Sequence, residues 1–254
     1  MNSFSPPYTT LSRSAIYLQE KGFALLHSDE FFVLSEHSAQ DWQKLSLFWN
    51  SLSADEYLKD GGKYRKRKHA SVIVTDQSID IVPYRPHFQP LSYNALHGGM
   101  NRVFTSCDEQ FLKHPAMFDL LIQLGDLFTQ VLAKEKQNLS PWFVEVHQFR
   151  IDTAGGIGRP TPEGAHRDGV NFVAVLLVDR HFVTGGESRV FDAHGPQGQR
   201  FTLDTPWTLL LLDDTKVLHE TTPIQPADRK NPEGSWRDTL VITYRQDSFL
   251  EATA

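Results

Sequence analysis

Cysteine is nearly absent from this 254-residue chain, Cys107 being the only one. An internal disulfide is therefore impossible, as is a zinc site built on several thiolates, and a reducing compartment fits best. Cys107 lies in Thr105-Ser106-Cys107-Asp108 without an activating neighbour and reads as a bystander thiol. No run approaches the roughly 20 apolar residues of a membrane span. The segment Met1 to Thr10 is polar and lacks the basic and apolar regions of a signal peptide. A cytoplasmic protein with no membrane contact is expected.

Positive charge is not in excess either. The 25 Lys and Arg against 31 Asp and Glu leave a net charge of -6, which gives no field for a nucleic acid partner. The one basic run, Lys63-Tyr64-Arg65-Lys66-Arg67-Lys68, opens an apparent strand at His69 to Thr75 and reads as a solvated edge strand guarded against aggregation. Internal repeats and low-complexity segments are missing. Nothing demands two units, so residues 1–254 are expected to form one domain, with 1–140 as helical and mixed support and 141–250 as a β-rich core.

What is present is pattern. A helix is predicted over Leu11 to Lys21 with Gly22 as its stop, then a strand Phe23 to His27, then a second helix with Asp29 as N-cap. After His114-Pro115, Met117, Leu120, Leu121, Leu124, Phe128, Val131 and Leu132 recur at helical spacing and mark a core-facing stripe. From Pro141 the character turns to short strands between Gly, Pro and Asp turns: Trp142 to Ile151, Asn171 to Val178, Ser188 to Asp192, Thr208 to Leu212 and Thr239 to Arg245. That spacing predicts an α+β fold, an antiparallel barrel or cupin-like jelly roll with N-terminal helices packed outside it.

Mononuclear Fe(II) that activates O2 is held by two imidazoles and one carboxylate, with positions left open for co-substrate and gas. His166-Arg167-Asp168 offers the near pair, since side chains two residues apart on an extended chain point the same way. With 11 histidines, roughly one His-x-Asp match is expected by chance. A second match does occur at His27-Ser28-Asp29, where the helix cap is the simpler reading. His166 stands out by context, after the loop Arg159 to Gly164 and before the apolar strand Phe172 to Val178. His219 follows strand Thr208 to Leu212 and the turn Asp213-Asp214, where a third ligand on a neighbouring strand belongs. Arg237, at the head of the last strand, can grip the far carboxylate of a dicarboxylate co-substrate; Arg245 has the same parity and is the alternative. The histidines His69, His87, His97, His114, His147, His181 and His194 lack this context and read as packed or solvated.

The order His166-x-Asp168, Gly185-Gly186-Glu187, a strand ending in Asp before His219, Thr222-Pro223, then Arg237 resembles the double-stranded β-helix of Fe(II)/2-oxoglutarate-dependent dioxygenases, over roughly residues 142 to 247. A long insertion, Pro226 to Ser235, departs from that pattern. Within the superfamily, His147 to Ile151 and Pro162 to Gly169 resemble the bacterial branch of L-isoleucine 4-hydroxylase and BsmA-like proteins. The resemblance implies Fe(II) as cofactor, 2-oxoglutarate and O2 as co-substrates, and a free aliphatic L-amino acid that is hydroxylated or sulfoxidised. Such a substrate needs a cation for its carboxylate and an acceptor for its ammonium. Arg150 and Glu163 are the candidates, with Gln148 as an added polar contact and a salt bridge or turn as the plain alternative for each. Two other readings remain open, a dioxygenase acting on a protein side chain and a non-redox metal-binding cupin.

Overall fold

The computed structural model describes residues 5–94, 96–132, 141–228, 230 and 234–252; part of the Pro226 to Ser235 insertion lies outside them. Helix α1 (Leu11–Lys21) stops where Gly22 takes a φ of 74°, a conformation open to glycine, and returns its N–H to Leu18. Strand β1 (Phe23–Leu26) leads to α2 (Ser28–Ser35), α3 (Ala39–Ser46) and a short 3-10 helix (Leu47–Ser51). Short and long strands alternate next: β2 (Ser53–Ala54), β3 (Arg65–Val74), β4 (Ile79–Ile81), β5 (His87–Phe88) and β6 (Asn101–Arg102). Helices α4 (Glu109–Leu112) and α5 (Pro115–Leu132) close the first half. The second half is made of β7 (Trp142–Asp152), β8 (Phe172–His181), β9 (Val183–Gly185), β10 (Glu187–Asp192), β11 (Gly198–Thr202), β12 (Leu209–Asp213), β13 (Val217–Thr221), β14 (Ile224–Pro226) and β15 (Trp236–Arg245).

The major sheet runs β1-β12-β8-β15-β7-β3-β2 with β4 joined to β3, and the minor layer consists of β11-β10-β13 and β14-β9. All these ladders are antiparallel, and together they build the jelly roll. Strand parity decides which face does what. Val72, Val144, Val146, Ala174, Leu176, Leu240, Ile242 and Tyr244 turn outward and pack on the α5 stripe of Leu120, Leu124 and Phe128. Their neighbours of opposite parity turn into the roll. At one end Val173, Leu177 and Leu210 meet Val190 and Phe201 of the minor layer; at the other end the inward residues are polar and line a cavity. The outer core joins both halves of the chain, and Tyr244 fastens them by donating its hydroxyl to the Leu121 carbonyl at 2.8 Å. Tyr244→Phe should cost about 1 kcal/mol in urea unfolding, the typical worth of one buried neutral hydrogen bond.

Two local expectations are corrected. The second helix starts one residue earlier than its proposed cap: His27 is the N-cap, with Nδ1 facing the Asp29 N–H at 3.5 Å, and Asp29 lies in the first turn. The basic run is not a solvated edge. Its strand β3 lies between β2 and β7, where Arg65 and Arg67 turn inward and are buried. Lys66 and Lys68 turn outward, Lys68 to Asp108 at 2.6 Å and Lys66 to Asp152 at 3.5 Å. Cys107 is buried and burial pushes its thiol up to about 12, as suits a bystander. No described helix is long and apolar enough to cross a membrane.

Candidate metal and co-substrate site

The loop ahead of β8 and the middle of β13 are zipped together by a reciprocal backbone pair. The His166 N–H donates to the His219 carbonyl at 3.1 Å and the His219 N–H to the His166 carbonyl at 2.9 Å. Two residues far apart in sequence thereby present their rings side by side, centroids 4.6 Å apart. His166 Nδ1 lies 2.9 Å from the Gly164 carbonyl. A carbonyl can only accept, so Nδ1 carries the proton and Nε2 offers its lone pair. Asp168 closes the group, with Oδ2 3.2 Å from His219 Nε2 and Oδ1 3.8 Å from His166 Nε2. One ligand atom from each of the three falls within 4.8 Å of the others. Two imidazoles and a carboxylate facing one cavity are the donor set of a mononuclear Fe(II) centre with open positions.

Asp168 is held from behind. The buried Asp214 carboxylate accepts the N–H groups of Asp168 at 3.0 Å, Gly169 at 2.8 Å and Val170 at 3.1 Å. Gly169 has a φ of 82°, and a Cβ there would stand 2.5 Å from the Tyr93 ring. From the cavity side the Gln89 amide donates to Asp168 Oδ1 at 2.9 Å. Neither Asp214 nor Gln89 was picked from the sequence. The Asp213-Asp214 turn just before His219 was the available signal for the first; nothing in the sequence marks Gln89.

Protonation of the metal-free site follows from these contacts. Burial works against a charged His219, yet the hydrogen bond and charge of Asp168 outweigh it and hold the imidazole above its ordinary value. Below that raised value a metal binds only by displacing a proton from His219. Fe(II) affinity is expected to rise about tenfold per pH unit below that raised value and level off above it. Anaerobic chelator competition between about pH 6 and 8 checks this; an affinity that does not vary with pH would contradict it.

Arg237 stands on the inner face of β15 and lines the same cavity. It is buried, and its Nε and Nη2 have no hydrogen-bond partner. Burial and the neighbouring Arg180 lower its guanidinium to about 9, which still leaves it cationic at neutral pH. A buried, unpaired guanidinium fits a carboxylate ligand. Arg245 is placed elsewhere: its guanidinium meets Ser248 at the exposed end of β15.

Of the candidate substrate residues, Glu163 lines the cavity, 3.7 Å from His166 Nε2, and its Oε2 is buried without a partner. Arg150 and Gln148 do not join it. They lie on the outer face of β7, where Arg150 grips Asp238 through two bonds of 2.8 and 2.6 Å and stacks on Trp236. The inner face carries Glu145, His147 and Phe149 instead. His147 and Glu145 form a second buried group with His69 and His87, again within 4.8 Å, so the packed-or-solvated reading of these three histidines missed a cluster. Its carboxylate is already partnered. Glu145 is shared by His87 at 2.9 Å, His69 at 3.3 Å and Arg85 at 3.5 Å, while His147 Nδ1 meets Arg67 at 2.8 Å. Burial pushes His87 down to about 4, so it is neutral.

The cavity measures about 120 Å³, room for about four water molecules at liquid density. A larger hollow of about 700 Å³ behind His69 contains none of His166, Asp168, His219 and Arg237.

Comparison with known proteins agrees with this geometry. The chain is 25% identical over 235 residues to an L-isoleucine-4-hydroxylase of Bacillus thuringiensis, covering 89% of this chain and 91% of that one. The structure of a bsmA homolog from Methylobium petroleophilum PM1 superposes with a TM-score of 0.90 at 44% identity, covering 100% of both chains. The structure of IDO from Bacillus thuringiensis, at 19% identity, shares the fold with a TM-score of 0.68, over 98% of this chain and 100% of that one. The profile of the 2OG-Fe dioxygenases matches residues 46–243. With its His/Asp/His iron site inside that span, the chain belongs to the 2OG-Fe dioxygenase family, an oxidoreductase family that uses Fe(II), 2-oxoglutarate and O2, and sits in its BsmA-like branch.

Proposed function

We propose that this dioxygenase hydroxylates or sulfoxidises a free aliphatic L-amino acid, with iron held by His166, Asp168 and His219 and the far carboxylate of 2-oxoglutarate held by Arg237. We read residues 1–254 as one domain serving this single site. The observation that carries the substrate class is Glu163. Its carboxylate lines the small cavity beside the triad, with Oε1 3.7 Å from His166 Nε2, while the buried Oε2 makes no hydrogen bond and lies 4.0 Å from His97 Nδ1. A carboxylate with acceptor capacity left over in that position suits an ammonium group. A peptide substrate would need an open groove, whereas this cavity of about 120 Å³ suits small molecules.

When bound, iron and 2-oxoglutarate together activate O2 and supply the oxidising power that inserts one oxygen atom into the substrate, leaving succinate and CO2. The residues of the chain do the rest. His166 and His219 stay fixed by their backbone pair, Asp168 by Asp214 and Gln89, so the ligand set is organised before anything binds. Arg237 orients the co-substrate from the far side, and Phe149, Val170, Val175 and Val241 give the cavity its apolar wall.

The test is an anaerobic addition of Fe(II) and 2-oxoglutarate, read by the weak visible charge-transfer band, followed by an aerobic panel of free L-amino acids scored for succinate. Substrate-stimulated succinate with at least one aliphatic amino acid or methionine is expected. A band without stimulation by any of them would sink the substrate class and leave the dioxygenase standing.

A further inference from the structure

Among the described residues, two buried arginines at the polar end of the cavity have no carboxylate within hydrogen-bond distance. Arg67 is 4% exposed and Arg102 2%. The carboxylate nearest to Arg67 is Asp55, 3.9 Å away, and that carboxylate is already taken by Arg65 at 2.7 Å. Arg67 spends one nitrogen on His147 Nδ1 and rests 3.8 Å above the Phe104 ring. Arg102, within 5.9 Å of the same ring, spends one nitrogen on the Gln89 side-chain Oε1 at 2.8 Å. The Nε of both is buried without a partner, and both line the cavity. Two guanidiniums buried in this way are costly unless an anion completes them.

The neighbours place that anion. Gln89, which orients Arg102, also donates to Asp168. The Asn94 amide sits 3.2 Å from Gln89 Oε1 and 3.4 Å from Glu163 Oε1, so one pair of side-chain amides spans from Arg102 to Glu163. A cationic pocket and the Glu163 carboxylate, separated by that span, match the two ends of an amino-acid head group. Arg237 is a separate anion site: it stands on β15, two strands across from β3, roughly 10 Å by strand spacing.

We propose that Arg67 and Arg102 together form the receptor for the α-carboxylate of the substrate, distinct from the co-substrate clamp at Arg237. This rests on the amino-acid reading above. The test measures anaerobic binding of L-isoleucine, L-leucine and L-methionine, and of their carboxamides, by calorimetry on the Fe(II) protein with 2-oxoglutarate. At least one acid should bind the wild-type chain about 30-fold or more tightly than its carboxamide. Arg102→Gln and Arg67→Gln should weaken that acid by a similar factor and erase the preference. The 2-oxoglutarate midpoint, read from the charge-transfer band, should move less than about threefold, because the co-substrate is held elsewhere. The carboxamide comparison needs no variant, so it decides even where a substituted chain fails to fold. Equal binding of acid and amide would overturn the receptor while leaving the amino-acid reading intact. So would a 2-oxoglutarate midpoint that shifts as far as the amino acid does, since the anion would then be the co-substrate. If the band forms and none of the three acids binds at millimolar concentration, the amino-acid reading falls and the receptor with it.

Discussion

Arg237→Leu is expected to raise the 2-oxoglutarate concentration needed to form the anaerobic charge-transfer complex by about two to three orders of magnitude. The magnitude follows from where the guanidinium sits. Removing one partner of a buried, hydrogen-bonded charge pair costs roughly 2–5 kcal/mol, and each 1.4 kcal/mol is about tenfold in affinity. Arg237 is buried with Nε and Nη2 unused, so its desolvation is already met in the fold and a carboxylate gains the full interaction on arrival. Arg237→Lys keeps the charge without the planar fork, and should recover part of the loss, about tenfold. Fe(II) affinity should change little in either variant, because Arg237 touches none of the three ligands. Arg245→Leu is the control. Its guanidinium meets Ser248 outside the cavity, and a 2-oxoglutarate midpoint that moves with Arg245 rather than Arg237 would reverse the assignment.

The sequence carried the outer half of this fold plainly and the inner half poorly, for one reason. The α5 stripe and the apolar residues of β7, β8 and β15 obey helical or alternating periods because they pack on one another. Alternation also says that Gln148 shares a face with Arg150, and Glu145 with His147. It does not say which face looks outward. The usual rule sends the polar set to solvent, yet in β7 Val144 and Val146 face the helices while Glu145 and His147 face the reaction cavity. A strand buried on both sides has no solvent face to anchor the choice. Arg150 therefore reads as a site residue in the sequence, whereas the structure sets it on the outer face of β7, paired with Asp238.

The same ambiguity hid the basic run. Six residues from Lys63 to Lys68 look like one solvated patch, but parity sends Arg65 and Arg67 inward and Lys66 and Lys68 to outer carboxylates. Arg102 comes from β6, which pairs with β5 through Arg102 opposite His87. A single arginine in a two-residue strand gives no periodic signal. His166, Asp168 and His219 were easier to read because metal ligation needs a fixed spacing and a fixed chain order, and both survive in sequence. Cavity walls gathered from seven strands and the loops between them leave no such mark.

Asp214→Ala should lower Fe(II) affinity by about 100-fold, the upper range for a residue that orients a metal ligand without touching the metal. Two carboxylate oxygens divide three N–H donors here: Oδ1 takes Asp168, and Oδ2 takes Gly169 and Val170. Alanine strands all three in a half-buried turn, and Gly169, with its φ of 82° and the Tyr93 ring against it, has no room to relax. Asparagine separates geometry from bulk. Its one oxygen can serve one side of the turn, while its NH2 faces an N–H on the other, donor against donor. Asp214→Asn should therefore lose nearly as much iron affinity as alanine, although the side chain is almost unchanged in size. Asp213→Asn is the neighbouring control, since the Asp213 carboxylate caps Thr215 and not the ligand loop; about tenfold or less is expected there. The readout is anaerobic chelator competition for Fe(II), with urea unfolding run alongside to separate lost ligation from lost fold. An Asp214→Asn chain that keeps wild-type iron affinity would mean that Asp168 is held by Gln89 and its own backbone, and that the three-bond cradle is not what positions the metal carboxylate.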